Sequence, residues 1–328
     1  MQYKLLLALL LVVYAAAFAQ TAEPAATIEP ASYVINGPRS QVQLLVSAHA
    51  NNSWTDATCT AKYHSSDPKV VEVSAAGVVT PKGDGTATIT ATTPAGSATA
   101  TITVSNFAAP VAIDYRTDVI AALSRAGCSQ GACHGSPQGK GGFRLSLRGF
   151  DPASDLQTLT REAAFRRTNP IEPEQSLILR KGTGRVPHQG GVRFQPTDQA
   201  YLILRDWIAA GCADSVVPRK LVGLEVLPAA RLLASGSPQQ QLVALAKFED
   251  GSVVDVTGQA VFTVPLDPAV SVTPNGFVEF TATGEANVLV RYLEQVRSVQ
   301  LTYVERDSQY EFKGPPPANL VDEQIFAK

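Results

Sequence analysis

The chain has 328 residues, enough for two or three domains of ordinary size. A hydrophobic content of 45% with 17% charged residues excludes a disordered chain, and a net charge of −2 argues against a dedicated nucleic-acid binder. The balance is uneven: residues 115–220 hold 15 Lys and Arg against 9 Asp and Glu, so a basic middle sits between acidic flanks.

Lys4 gives the N-terminus a positive start, residues 5–17 an apolar run, and Ala17-Phe18-Ala19 a small-x-small site. This is a signal peptide over residues 1–19, cleaved before Gln20. The run is short for a bilayer span, and no later stretch is long and apolar enough to make one. The expected location is the periplasm or cell surface of a bacterium, where disulfides form. Met1 is the single methionine, so cleavage leaves a chain with none.

Residues 25–106 read as an all-β module. Short alternating runs at 41–46, 69–73, 77–79, 86–91 and 99–104 are separated by turn residues such as Asp67-Pro68 and Gly83-Asp84-Gly85. Residues 219–305 repeat the plan. Asp255 and Thr257 answer Asp56 and Thr58, Asp267-Pro268 answers Asp67-Pro68, Gly276 answers Gly77, and Gly284 answers Gly85. Order and separation match to within about a residue, so this is an internal repeat. Both modules resemble bacterial Ig-like domains of group 2, as found in invasin- and intimin-like surface proteins. That resemblance implies a spacer or adhesive role and no catalysis.

Residues 115–218 change character. Tyr115, Val119, Ile120 and Leu123 mark one face of a helix, with Asp114 as N-cap and Gly127 as stop. Asp151-Pro152 opens a second helix, expected to run to about Phe165. A third is expected over 198–210, capped by Thr197 and ended by Gly211. Residues 143–148 could form a short strand.

Cys128, Cys133 and His134 follow the first helix directly. Two thiols with an imidazole adjoining the second suit covalent haem attachment, although the usual spacing between the thiols is two residues and here it is four. With no methionine left, the second axial ligand falls to a histidine. His49 and His64 lie in the first β module, which leaves His188, 54 residues beyond His134 and flanked by Pro187, Gly190 and Gly191. Arg144, Arg148, Arg185 and Arg193 are candidate partners for haem propionates. Two other readings stay open: a Cys128–Cys133 disulfide, and a zinc site of two Cys and two His. Residues 135–140 are one position short of a phosphate-binding loop and are rejected as one. Cys59, alternating with Ala61 and Tyr63, is expected to be a buried core thiol.

Gly127 to Gly135, followed by the runs 142–152, 159–162, 173–179 and 186–194, resembles the planctomycete-type cytochrome c segment of large exported bacterial proteins. Residues 315–328 resemble the entry to the long domain that follows it there. The expected fold is therefore multidomain: two all-β Ig-like sandwiches flanking a mainly α cytochrome c-like domain at 115–218, with a proline-rich linker and the start of a truncated helix at 306–328. The residues thus point to one covalent haem c attached at Cys128 and Cys133 and ligated by His134 and His188, with electron transfer to an unnamed redox partner; the resemblance adds support for the haem and names no partner. The alternative is a cell-surface adhesion or glycan-binding protein, with polysaccharide contact through its Ig-like modules and the central cysteines in a disulfide or zinc site. No enzymatic constellation, nucleic-acid partner or membrane span is expected.

Overall fold

The computed structural model describes residues 25–50, 53–109, 112–264, 268–305 and 314–326. The signal peptide, Asp267 and the first part of the linker fall outside the described residues.

Period-two patterning sets the strands of the first module. Along Gly85–Thr93, Ala87, Ile89, Ala91 and Thr93 are buried while Thr86, Thr88 and Thr92 face water. The alternation puts one face of this strand into a core with Ile35, Leu44, Val46, Val71, Val79 and Ile102. Three sheets enclose that core. One pairs Ala26–Glu29, Leu45–Ala50 and Ser53–Asp56; the second orders Ser32–Asn36, Gly96–Ser105, Gly85–Thr93 and Lys62–Ser65; the third orders Val42–Gln43, Val78–Pro81 and Val71–Val73.

The second module repeats this strand for strand. Its sheets are Leu221–Leu227 with Val243–Phe248 and Val253–Asp255; Ala230–Leu233 with Gln295–Tyr303, Gly284–Tyr292 and Val261–Thr263; and Gln239–Gln241 with Phe277–Phe280 and Val270–Val272. Even the one parallel pairing recurs, Ser32–Asn36 on Gly96–Ser105 and Ala230–Leu233 on Gln295–Tyr303. The internal repeat read from sequence is a duplicated sandwich.

The Asp-x-Thr signature has a physical role in each copy. Thr58 Oγ1 accepts the Val46 N–H at 3.0 Å and Thr257 Oγ1 accepts the Ala244 N–H at 2.9 Å. One oxygen of each aspartate accepts the N–H of its own threonine, at 2.6 Å from Thr58 and 2.8 Å from Thr257. The other oxygen crosses to the sister module. Asp255 Oδ2 accepts the Gln43 N–H at 2.6 Å, and Asp56 Oδ2 accepts the Gln241 N–H. Gln43 and Gln241 are equivalent positions: each donates its side-chain amide to the next residue's carbonyl and to a carbonyl of the turn near Gly77 or Gly276. Leu45, Val243 and Leu245 make a separate apolar cluster between the modules. The two sandwiches therefore dock face to face through like surfaces, a pseudo-two-fold contact inside one chain.

Residues 115–218 do not form the expected mainly α domain. Among the described residues the chain is built of six β-sheets, and this segment contributes short helices joined by long irregular turns. A π-turn at Tyr115–Val119 leads into α1 (Ile120–Arg125); α2 is Pro152–Thr160, α3 Leu177–Gly182 and α4 Gln199–Ala209. Positive φ angles explain the interruptions. Gly127, Gly139, Gly141, Gly142, Arg148, Gly149, Gly184, Gly191, Gly211 and Cys212 all take them, and a right-handed helix cannot run through such positions. The second helix stops at Thr160 rather than Phe165 because Ala163, Ala164 and Phe165 lie at φ +54°, +56° and +61°. Residues 143–148 make no strand; only a lone bridge joins Lys140 and Phe143.

Two of the three expected caps form: Asp114 accepts the Thr117 N–H and Asp151 accepts the Ser154 N–H. Thr197 does not cap the third helix, whose N-cap position is Asp198 with no side-chain capping bond. Helices α1 and α4 pack through Leu123, Leu204, Trp207 and Ile208, with Tyr115 stacked on Trp207 at 5.4 Å. The segment is pinned to both modules. Arg125 donates to Ala260 O and Asn275 Oδ1, Arg291 donates to Ser124 Oγ, and Arg39 meets Asp206 at 3.3 Å. The last helix, α5 (Leu320–Phe326), exposes Leu320, Val321 and Ile325 to solvent.

Candidate functional site

The turn after α1 is set by backbone bonds before any side chain acts. Cys128 N donates to Leu123 O, His134 N to Cys128 O, and Gly135 N to Gln130 O. Gly135 is required by close approach: a Cβ there would lie 2.2 Å from Ser129 O. Leu145 N donates back to His134 O at 2.7 Å, which tethers the next strand of loop to the turn.

This turn forms one wall of a cleft of about 640 Å3. Cys128, Cys133, His134 and His188 all line it, so the structure brings together the four residues singled out by sequence. The two imidazoles face each other with centroids 6.3 Å apart and planes 11° from parallel. His134 Nδ1 lies 2.9 Å from Phe143 O, and His188 Nδ1 lies 2.8 Å from Gly191 O. A carbonyl partner assigns a proton to Nδ1 of each ring. Burial lowers the His134 pKa, with the neighbouring His188 adding to the effect. Burial pushes the Cys128 thiol up to about 11, so it stays protonated at neutral pH. Cys133 Sγ accepts from Arg193 at 3.5 Å.

The cations of the cleft are mostly not those expected. Of Arg144, Arg148, Arg185 and Arg193, only Arg193 lines it; Arg185 instead meets Glu174 at 3.9 Å. Lys140, Arg166, Arg167 and Lys181 complete the set, and among the described residues no Asp or Glu lines the cleft. Arg167 is the structural member: buried, stacked 4.7 Å over the Phe143 ring, and bonded to Thr158 O, Glu162 and Gly142 O. These residues have no helical or strand periodicity, so pattern reading could not group them. The adjacent pair Arg166-Arg167 just after a helix was the one available signal.

All four cysteines are free thiols. Cys59 is exposed on the turn before Lys62–Ser65 rather than buried, because its residue precedes the strand on which the alternation was counted.

Residues 26–104 match the bacterial Ig-like domain (group 2) family. No curated protein matches the chain. Among solved structures, domains 5–6 of the S-layer protein SbsC are similar over 85% of this chain and 96% of that one, at 10% identity and a TM-score of 0.32. A longer SbsC fragment, domains 1–6, is similar at 13% identity and a TM-score of 0.22, and the chain spans 24% of its length. BT4661, a SusE-like surface-located polysaccharide-binding protein from Bacteroides thetaiotaomicron, is similar at 10% identity over 85% of this chain and 33% of that one, with a TM-score of 0.16. Scores this low fix neither a shared fold nor an activity.

These findings overturn the expectation of an electron-carrying cytochrome. The family match falls on the Ig-like module, and the architecture is that of duplicated β sandwiches. Among the described residues, no group of three or more His, Cys, Asp or Glu could hold a metal ion, which also removes the zinc reading. Among the same residues no helix is long and apolar enough to cross a membrane.

Proposed function

We propose that this chain is an exported cell-surface interaction protein, with its paired Ig-like modules acting as a scaffold and no catalysis of its own. The observation that carries the reading is the duplicated sandwich. Its first copy matches the Ig-like family, and its second repeats the same sheets and the same Asp-x-Thr bonds. The signal-peptide pattern of residues 1–19 supports export. Reciprocal docking of the modules, with the central segment bonded to both, gives a presenting body rather than a flexible string of beads.

The test is location and adhesion together. A C-terminally tagged full chain is expressed in a bacterial host, and intact cells are treated with a protease that cannot enter them. The purified chain is then incubated with washed cell envelopes and sedimented. Cleavage on intact cells together with co-sedimentation is the expected result. A chain fully protected in intact cells, or one that never sediments with envelopes, overturns the proposal.

A further inference from the structure

We infer that the central cleft is a binding site for an acidic oligosaccharide, one carrying carboxylate or sulfate groups on sugar rings. The inference rests on the surface-interaction reading above and assigns its ligand to the central segment rather than to the sandwiches.

Charge is the first support. Lys140, Arg166, Arg167, Lys181 and Arg193 converge on one cleft that, among the described residues, no carboxylate lines. Among the described residues, Lys140, Arg166, Lys181 and Arg193 have no acidic partner within ion-pair distance; only Arg167 has one, Glu162 at 3.2 Å. Gathering like charges without counter-charges costs free energy, and an anionic occupant removes that cost. A guanidinium fork is matched to a carboxylate or sulfate.

Shape and chemistry narrow the class. At about 640 Å3 the cleft has the size of a ligand pocket and takes several linked rings rather than one small anion. Phe143, Leu177, Ile178 and Pro187 supply apolar wall for the C–H faces of sugar rings, and the His134 ring lies 4.5 Å from Phe143 as part of the same wall. Each Nδ1 is committed to a carbonyl, so Nε2 of His134 and of His188 is the ring nitrogen left to meet a ligand. Ring nitrogens beside cations suit a ligand that carries hydroxyls and anionic groups together.

Backbone strain is an independent support. Ala163, which lines the cleft, begins three successive residues with positive φ, none of them glycine. Such a run costs on the order of 1–2 kcal/mol per residue by its handedness alone, and strain of this kind gathers at ligand sites. Phe165, which ends the run, is 62% exposed and lies outside the residues that line the cleft.

The test uses the full exported chain and isothermal titration with three probes: trigalacturonate, the neutral galactose trisaccharide, and inorganic sulfate. Trigalacturonate is expected to bind at least tenfold more tightly than the other two, and to weaken as salt is raised. Lys140→Gln with Arg166→Gln removes two exposed cations whose side chains make no bond among the described residues, and is expected to cut that affinity at least tenfold with an unchanged thermal midpoint. Equal affinity for the acidic and neutral trisaccharides overturns the assignment. So does sulfate binding as tightly as trigalacturonate, or an unaltered affinity in the double variant. An intact-mass increment of a porphyrin on Cys128 and Cys133 also overturns it, since a covalent group would fill the cleft. If the double variant loses trigalacturonate but still sediments with envelopes, the cleft assignment holds and adhesion lies elsewhere on the chain. If envelope binding survives while wild type ignores all three probes, this inference fails and the surface reading stands.

Discussion

Arg167 is 8% exposed, yet it belongs to the wall of a cleft and not to a hydrophobic core. Its guanidinium closes three gaps at once, on Thr158 O, Gly142 O and Glu162, and covers the Phe143 ring. Arg167→Ala would leave the buried Thr158 carbonyl without this donor and uncover the Phe143 ring. A loss of about 1–3 kcal/mol is expected, read from the urea midpoint. Arg167→Lys should recover little of it, because an ammonium cannot span the fork. Asp255 makes the opposite trade. Burial raises its pKa from 3.8 to about 6, against the opposing effect of the Thr257 and Gln43 N–H groups that it accepts. A carboxyl whose folded pKa is raised contributes stability that is full below its unfolded value and lost as the pH climbs through the folded one. The contribution therefore disappears between about pH 4 and pH 6, on the order of 3 kcal/mol. The wild type should gain stability from this group when brought from pH 7 to pH 5, and Asp255→Asn should flatten that gain. Equal pH slopes in the two proteins would show that Asp255 does not titrate in this window.

At the scale of elements, the contact between the sandwiches decides how the chain unfolds. Leu45 is 1% exposed, but it sits in the cluster with Val243 and Leu245 rather than in the core of its own module. Leu45→Asp places a charge in that contact while leaving Leu44 and Val46 on the core side. Calorimetry should show one transition for the wild type and two for the variant, as the sandwiches lose their mutual support. The strands, the repeat and the Asp-x-Thr motif were legible in sequence because period-two burial and turn chemistry are local. The partner of each aspartate was not. Asp56 and Gln241 lie 185 residues apart, and nothing near either residue announces the bond. In the central segment, the caps at Asp114 and Asp151 were legible for the same local reason. Helix length was not, since the turn at 163–165 uses Ala, Ala and Phe at positive φ, where sequence rules expect Gly or Asn. The Cys and His residues singled out by spacing line one cleft. The chemistry of their cleft is set by Lys140, Arg166, Lys181 and Arg193, which sit on separate loops and helices.

Duplication has a consequence for the whole molecule. The docking face of the first module carries the acceptor Asp56, the donor Gln43 and the apolar Leu45; the second carries Asp255, Gln241 and Val243 at the equivalent places. Each face is thus nearly its own complement, which is the condition for an isologous dimer. A precursor with one module would have satisfied the same bonds between two chains, and duplication moves that contact inside one chain, where effective concentration favours it. The isolated first module, residues 25–106, contains its whole core and presents this face uncovered. It should therefore self-associate, with Gln43 of each copy donating to Asp56 of the other and Leu45 packed on Leu45. Sedimentation velocity across a concentration series should show a monomer–dimer exchange that Leu45→Asp abolishes without unfolding the module. The full chain, whose face is already occupied, should stay monomeric over the same series. A first module that remains monomeric throughout would mean that the bonds between Arg231 and Ser47, and between Tyr33 and Asp255, which have no symmetric counterpart, hold the sandwiches together and the shared motif does not.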